Sequence, residues 1–359
     1  MIGKLANSIE KESFVKSLNQ RLSEHEHIIL DLFVSNACNL HCNHCYFLDY
    51  SPIGVPISFQ RWSEIIDESI NMGIKHFHFS GREPFCDKRV PLLLEKMNNL
   101  SANQPLKYGL VTNGTLLTNE YFEMLTKSRI SYIEFSLEGD VLFNSTVRGT
   151  ESYNSVFNLI KNISDKSKVS ITSTYFGNNL SSIERMMDQF IKIGVSKFNI
   201  APYLFFDKKS LSPVKEIDYK EMIKLVHFFY CYLENKKKNE HVDIRISVTN
   251  RQAYDMFTRN NELSSKIAKY IFEGKKMIFK IERNILEIHY PLLYVPYLSQ
   301  IVITNDGLII PCANDIHYSQ LEEISLGNIV DNGMDAIMKK RLSFISNYIN
   351  QKLNQYEKN

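Results

Sequence analysis

Residues 36–47, NACNLHCNHCYF, put Cys38, Cys42 and Cys45 inside eight positions of a 359-residue chain that has only six cysteines. The N-terminus, MIGKLANSIEKESF, lacks the apolar stretch of a signal peptide, and no run reaches the ~18 apolar residues of a membrane span. That predicts a cytoplasmic protein, where thiols stay reduced and a tight cysteine group holds metal or does chemistry instead of forming disulfides. Two metal readings compete. A structural zinc site asks for four ligands, usually as two separated pairs, and His41 or His44 would supply the fourth only by crowding one short loop. A cluster of four irons can be held by three thiolates, leaving one iron open.

The loop follows directly on residues 28–33, IILDLF, which read as a first strand. Beyond it, short apolar runs alternate with helical periodicity. Trp62, Ile65, Ile66 and Ile70 recur at helical spacing before the strand KHFHF at 75–79. The strands KYGLVTNG (107–114), ISYIEFSLEG (130–139), KVSITSTYF (168–176) and KFNIAPY (197–203) follow, each after a helical segment. Ile183, Met186, Met187, Phe190 and Ile191 fit one face of the helix before the last of them. Six βα units joined by short loops predict an α/β fold, a partial (β/α)6 TIM-like barrel over residues 29–238. Residues 1–28 form a polar leader, and residues 239–359 a small α+β C-terminal extension in which Asn305, Asp306 and Gly307 make a hairpin turn.

A period of two puts Tyr132, Glu134 and Ser136 on one strand face, and Ser170, Thr172 and Thr174 on another. Strands covered on both sides usually read as continuous apolar runs, so these polar positions fit either an open, polar barrel interior or a sheet with one wet face. Composition is that of a globular protein, 44% hydrophobic and 23% charged, and the net charge of +2 names no partner. The basic run at Lys236–Lys238 is interrupted by acids, so no nucleic-acid partner is expected.

The three-cysteine loop resembles that of radical S-adenosylmethionine (SAM) enzymes, in which three and then two residues separate the cysteines after the first strand of a six-unit βα barrel. The resemblance implies one [4Fe–4S] cluster on Cys38, Cys42 and Cys45, with SAM on the open iron. SAM would then be cleaved to methionine and a 5′-deoxyadenosyl radical that abstracts hydrogen from substrate. By the same resemblance His44 and Tyr46 flank the adenine. FSGREP (79–84) matches the family's Gly-Gly-Glu-Pro stretch, which hydrogen-bonds the methionine amino group of SAM, at Gly81, Glu83 and Pro84, with Arg82 replacing the second glycine and adding a positive group near the cofactor. Asn113, in VTNGT, corresponds to a ribose or substrate contact. SLEG (136–139) and VRGTESYNSV (147–156) resemble the branch that mostly modifies peptides, which makes Ser136 and Arg148 partners of the methionine carboxylate and puts Glu138 in the place of an aspartate.

TNDGLIIPCAND (304–315) resembles the start of that branch's SPASM/twitch-like extension, which holds auxiliary clusters. Cys312 is the only cysteine left there, so no second cluster is expected. Of the other cysteines, Cys231 reads as a helix residue and Cys86 as a hydrogen-atom donor. Glu134 is a candidate for substrate binding or proton transfer. The implied substrate is a ribosomally made peptide, crosslinked or epimerised; the alternatives are a small molecule such as a nucleotide or sugar, or a metal-binding regulatory protein without catalysis. Further implied partners are an external electron donor of flavodoxin or ferredoxin type and a peptide-recognition protein, since the leader is too short for a recognition domain.

Overall fold

A computed structural model describes residues 25–45, 47, 51, 52, 54–205, 209, 217–236, 240–248, 268–271, 274–291 and 299–357. The predicted βα repeat is present. β1 (Ile29–Leu32), β2 (His76–Phe79), β3 (Lys107–Thr112), β4 (Tyr132–Ser136), β5 (Val169–Tyr175) and β6 (Lys197–Pro202) pair side by side in parallel. Between them run α1 (Phe59–Asn71), α2 (Arg89–Leu100), α3 (Asn119–Lys127), α4 (Val141–Arg148), α5 (Ser152–Asn162) and α6 (Leu180–Lys192), and α7 (Tyr219–Glu234) follows β6. Local chemistry sets the helix starts. The side chains of Ser58, Thr118 and Asp140 accept from backbone N–H groups three residues on, satisfying donors that the first turn leaves open.

The helices cover one face of the sheet. Trp62, Ile65 and Ile66 of α1 and Ile183, Met186, Met187 and Phe190 of α6 are fully buried, packed in one core with Leu30, Phe77, Phe79, Leu110, Ile133, Phe135, Ile171 and Phe198 of the strands. Along β4 burial alternates: Ile133 and Phe135 are enclosed, while Tyr132, Glu134 and Ser136 are half-buried on the opposite face. That face is polar, as the period of two predicted.

The sheet continues past the six units. β7 (Asp243–Ser247) pairs parallel with β6, and β10 (Asn284–Pro291) parallel with β7. At the other edge β11 (Gln300–Ile303) pairs parallel with β1. Antiparallel additions finish each edge: β9 (Gly274–Ile281) and β8 (Ala268–Ile271) beyond β10, β12 (Leu308–Ile310) and β13 (Gly327–Asn328) beyond β11. The order is β13-β12-β11-β1-β2-β3-β4-β5-β6-β7-β10-β9-β8, an open α/β sheet of partial-barrel type. Strands after residue 239 therefore flank both edges of the same sheet. The hairpin expected at 305–307 joins β11 to β12, with Gly307 N–H donating to Thr304 O at 3.0 Å. The short helix α8 (Leu321–Ile324) and the long α9 (Met334–Glu357) complete the chain.

Candidate functional site

The cysteine loop leaves the carboxyl end of β1 and is fastened on three sides. Glu83, at the end of β2, is the first fastening. It is 1% exposed, and its N–H donates to Ala37 O at 3.0 Å. Its carboxylate accepts from Thr112 Oγ1 at 2.7 Å, Asn113 N at 2.8 Å and Phe85 N at 3.1 Å. Both carboxylate oxygens are thus used in joining the turn after β2 to the end of β3, while the backbone N–H holds the loop; burial pushes this carboxyl up, against those donors. Gly81 makes the approach possible. Its φ is +102°, and a Cβ there would sit 3.0 Å from the Phe33 ring. The neighbouring position carries no such restriction, so Arg82 fits where the family pattern has a second glycine. Its guanidinium donates to Phe47 O at 2.9 Å, tying down the segment after the third cysteine. Phe47 in turn packs edge-on against Phe33 at 4.9 Å.

Asn113 is the second fastening. Its Nδ2 donates to Asn39 Oδ1 at 3.0 Å and approaches Cys38 Sγ at 3.9 Å, while Thr115 and Asn39 close the ring of bonds. Leu40 N–H adds a contact to Cys38 Sγ at 3.4 Å. The third fastening is α4: Asn43 N donates to Val147 O and Asn43 Nδ2 to Thr146 O, each at 3.1 Å.

Beside it lies a buried ionic group. Glu138 receives Arg148 Nε at 2.8 Å, Arg148 Nη2 on the same oxygen, and Thr174 N at 2.5 Å. His44 Nε2 stands 3.1 Å from it. Burial works against the Glu138 charge, but Arg148, then His44, then the Thr174 N–H outweigh it and hold the carboxyl down to about 2. Arg148 Nη1 reaches Cys42 Sγ at 3.8 Å. The Cys38 and Cys42 thiols are pushed up chiefly by burial, and each also feels the other two thiols or their neighbours, so the three sulfurs share one electrostatic environment.

Among the described residues no three His, Cys, Asp or Glu side chains converge on a single metal ion. A zinc site needs that, with each sulfur about 2.3 Å from one metal. A four-iron cluster puts each thiolate on a different iron and does not ask for a common point. Three free thiols on one fastened loop, with N–H donors to two of their sulfurs, fit that group.

His44 meets Phe176 edge-on at 5.5 Å, and Phe176 continues to Phe143 at 6.0 Å and Tyr203 at 5.2 Å. This aromatic ledge lies at the carboxyl ends of β5 and β6. Tyr46 falls outside the described residues. Ser136 lies at the carboxyl end of β4 and Pro84 just after β2, while Glu134 faces the polar interior and accepts from Thr172 Oγ1 at 2.9 Å. Cys86 ends a short helical turn, Pro84–Cys86; burial, Glu83 and Cys38 all push its thiol up, so it lies within electrostatic reach of the loop. Cys231 is half-buried on α7, 3.8 Å from His227 Nδ1, and Cys312 is enclosed beneath β12.

The interior holds a second polar group that sequence reasoning did not single out. Tyr132 OH lies 2.8 Å from His78 Nδ1 and 3.1 Å from His76 Nε2. Asp31, near His78, accepts from Ser80 Oγ at 2.5 Å and Gln300 Nε2 at 2.8 Å. Gly109 makes the room: a Cβ there would sit 2.5 Å from the Tyr132 ring. The period of two in HFHF already put both histidines on one face; their meeting with Tyr132 is a cross-strand fact.

Residues 32–190 match the model of the Radical SAM superfamily. The PqqA peptide cyclase of Granulibacter bethesdensis is 23% identical over 192 residues, 51% of this chain and 50% of that protein. A probable GTP 3′,8-cyclase of Methanococcus aeolicus is 22% identical over 297 residues, covering 79% of this chain and 84% of that one. The chain thus spans about half the length of the peptide cyclase and most of the nucleotide cyclase. Among solved structures, Streptococcus suis SuiB bound to its precursor peptide SuiA superposes with a TM-score of 0.66 at 18% identity, covering 90% of this chain and 67% of that one; the likeness is one of fold. The matched stretch, residues 32–190, carries all three loop cysteines and is the part of the chain that is similar to the radical SAM superfamily.

Proposed function

We propose that the protein is a cytoplasmic radical SAM enzyme that modifies a ribosomally made peptide by crosslinking or epimerisation. The observation that carries the chemistry is the fastened three-thiol loop at the carboxyl end of a parallel sheet, with a charged donor on Cys42. Cys38, Cys42 and Cys45 would hold a [4Fe–4S] cluster, which when bound supplies the electron that splits SAM. The chain's own residues do the rest. Glu83, Asn113 and Asn43 fix the loop, and Gly81 lets the β2 turn come close. Ser136 and Arg148 would take the methionine carboxylate, and the ledge of His44, Phe176 and Tyr203 would offer a wall for adenine that limits water. Glu134 and Thr172 offer a hydrogen-bonding wall inside the barrel, and Cys86 stands near the loop as a hydrogen-atom donor. A flavodoxin- or ferredoxin-type protein would deliver the electron, and a separate recognition protein would present the peptide.

The kinship with the PqqA peptide cyclase and the fold shared with peptide-bound SuiB support a peptide substrate. The longer match to GTP 3′,8-cyclases supports the second reading, a nucleotide-like small molecule. The anaerobically reconstituted protein, reduced with dithionite in the presence of SAM, is expected to release 5′-deoxyadenosine, and Cys38→Ala none. A small peptide encoded beside the gene should then lose two hydrogens or take up solvent deuterium. Conversion of GTP with the peptide unchanged would favour the second reading, and a zinc-loaded protein that leaves SAM intact would favour a regulatory metal-binding protein.

A further inference from the structure

The guanidinium of Arg148 is held in place more completely than a ligand contact alone requires. Arg148 is the last residue of α4, its side chain 13% exposed, and its Nε and Nη2 both donate to one oxygen of Glu138, which is 1% exposed. Glu138 is itself fixed by Thr174 N on its other oxygen, by its own N–H on Asn144 Oδ1 at 3.0 Å, and by Asn179 Nδ2 on its carbonyl at 2.9 Å. The two bonds from Asn43 to Val147 and Thr146 set the cysteine loop against the same helix turn. Nη1 is thereby held 3.8 Å from Cys42 Sγ. The hydrogen bonds to Cys38 Sγ come instead from the neutral donors Leu40 N and Asn113 Nδ2. Cys42 Sγ thus has a guanidinium N–H within hydrogen-bond reach, where both side chains are largely shielded from water and the charge acts strongly.

We propose that Arg148, by donating to Cys42 Sγ, sets the reduction potential of the cluster, and that Glu138 is the residue that positions it. The inference rests on the cluster assigned above. In the step concerned, one electron from a low-potential protein donor enters the oxidised cluster; no bond breaks and no proton moves. Hydrogen bonds and positive charge at the sulfurs favour the reduced, more negative form and raise the potential. Glu138 opposes this in charge while enforcing it in geometry; Gln in its place keeps an acceptor oxygen for the Arg148 fork and removes only the charge, so the two replacements predict opposite shifts.

The test is a redox titration of the reconstituted protein without SAM, read from the EPR signal of the reduced cluster, with iron counted in each sample. Arg148→Gln is expected to lower the reduced-to-oxidised ratio at a fixed potential about tenfold, a shift of about 59 mV for one electron. Arg148→Lys keeps the charge but not the fork, and should fall between the two. Glu138→Gln removes the countercharge and should shift the ratio the other way. A wild-type potential in Arg148→Gln with iron retained overturns the inference, as does a shift of the same sign in Glu138→Gln. If Arg148→Gln fails to take up iron, a wild-type potential in Arg148→Lys overturns it instead. A wild-type protein that binds no cluster would overturn the proposed function, a different outcome from a cluster whose potential ignores these residues.

Discussion

Glu83 shows how one buried side chain can organise the ends of neighbouring elements. Three donors, two from the end of β3 and one from a helical turn, converge on its buried carboxylate. Replacing it by Ala leaves the Asn113 and Phe85 N–H groups and the Thr112 hydroxyl without an acceptor, each a loss of ~1–3 kcal/mol at most. The melting temperature of Glu83→Ala should fall by several degrees, and iron uptake should fall with it; full cluster loading would mean the loop does not depend on this staple. His76 supplies a pH dependence. Burial first, then His78 and Lys107, lower it to about 4, so the fold disfavours its charged form. The unfolded chain binds that proton near pH 6.5, so stability should decline as pH falls from about 6.5 to about 4 and then level off with respect to this group. Urea midpoints at pH 7.5 and 4.5 measure it, and His76→Asn should show the smaller drop.

At the scale of elements, β3 and β4 are joined by a fit as well as by their ladder. Gly109 leaves the space that the Tyr132 ring fills, and the ring carries its hydroxyl between two imidazoles. Tyr132 has one hydrogen, so it donates to one histidine and accepts from the other. Gly109→Ala should push the ring aside and cost a few kcal/mol, seen as a loss of near-ultraviolet dichroism and a lower melting temperature. An unchanged spectrum would show that the strands can spread at no cost. In α4 both ends matter, since Asp140 caps its start and its last turn holds both the cysteine loop and Arg148. Removing the cap in Asp140→Ala should cost ~1 kcal/mol.

Over the whole molecule, how far the sequence could be read followed from how local each feature is. The βα order, the helix faces and the polar inner face of β4 and β5 arise from periodicity within single elements, and so are visible in the chain. The cysteine spacing is likewise local. What was hidden lies in pairings between distant residues: Arg148 and Cys42 are 106 positions apart, and Gln300 and Asp31 269. The return of β11 to the edge of β1 is of the same kind, because nothing in QIVI says which strand it will join. That pairing makes Gln300–Ile303 part of the central sheet. Amide protons of β1 and β11 should therefore exchange with the same, slow opening free energy. Faster exchange in β11 alone would mark it as a separately folding addition.

The proposed centre is three thiolates holding four irons. Mössbauer spectroscopy of the iron-57 reconstituted protein, with and without SAM, measures that directly. Three cysteine-ligated irons should keep their signals while a fourth changes when SAM is added. A cluster with four equivalent irons blind to SAM, or a protein that takes up zinc and no iron, would contradict it.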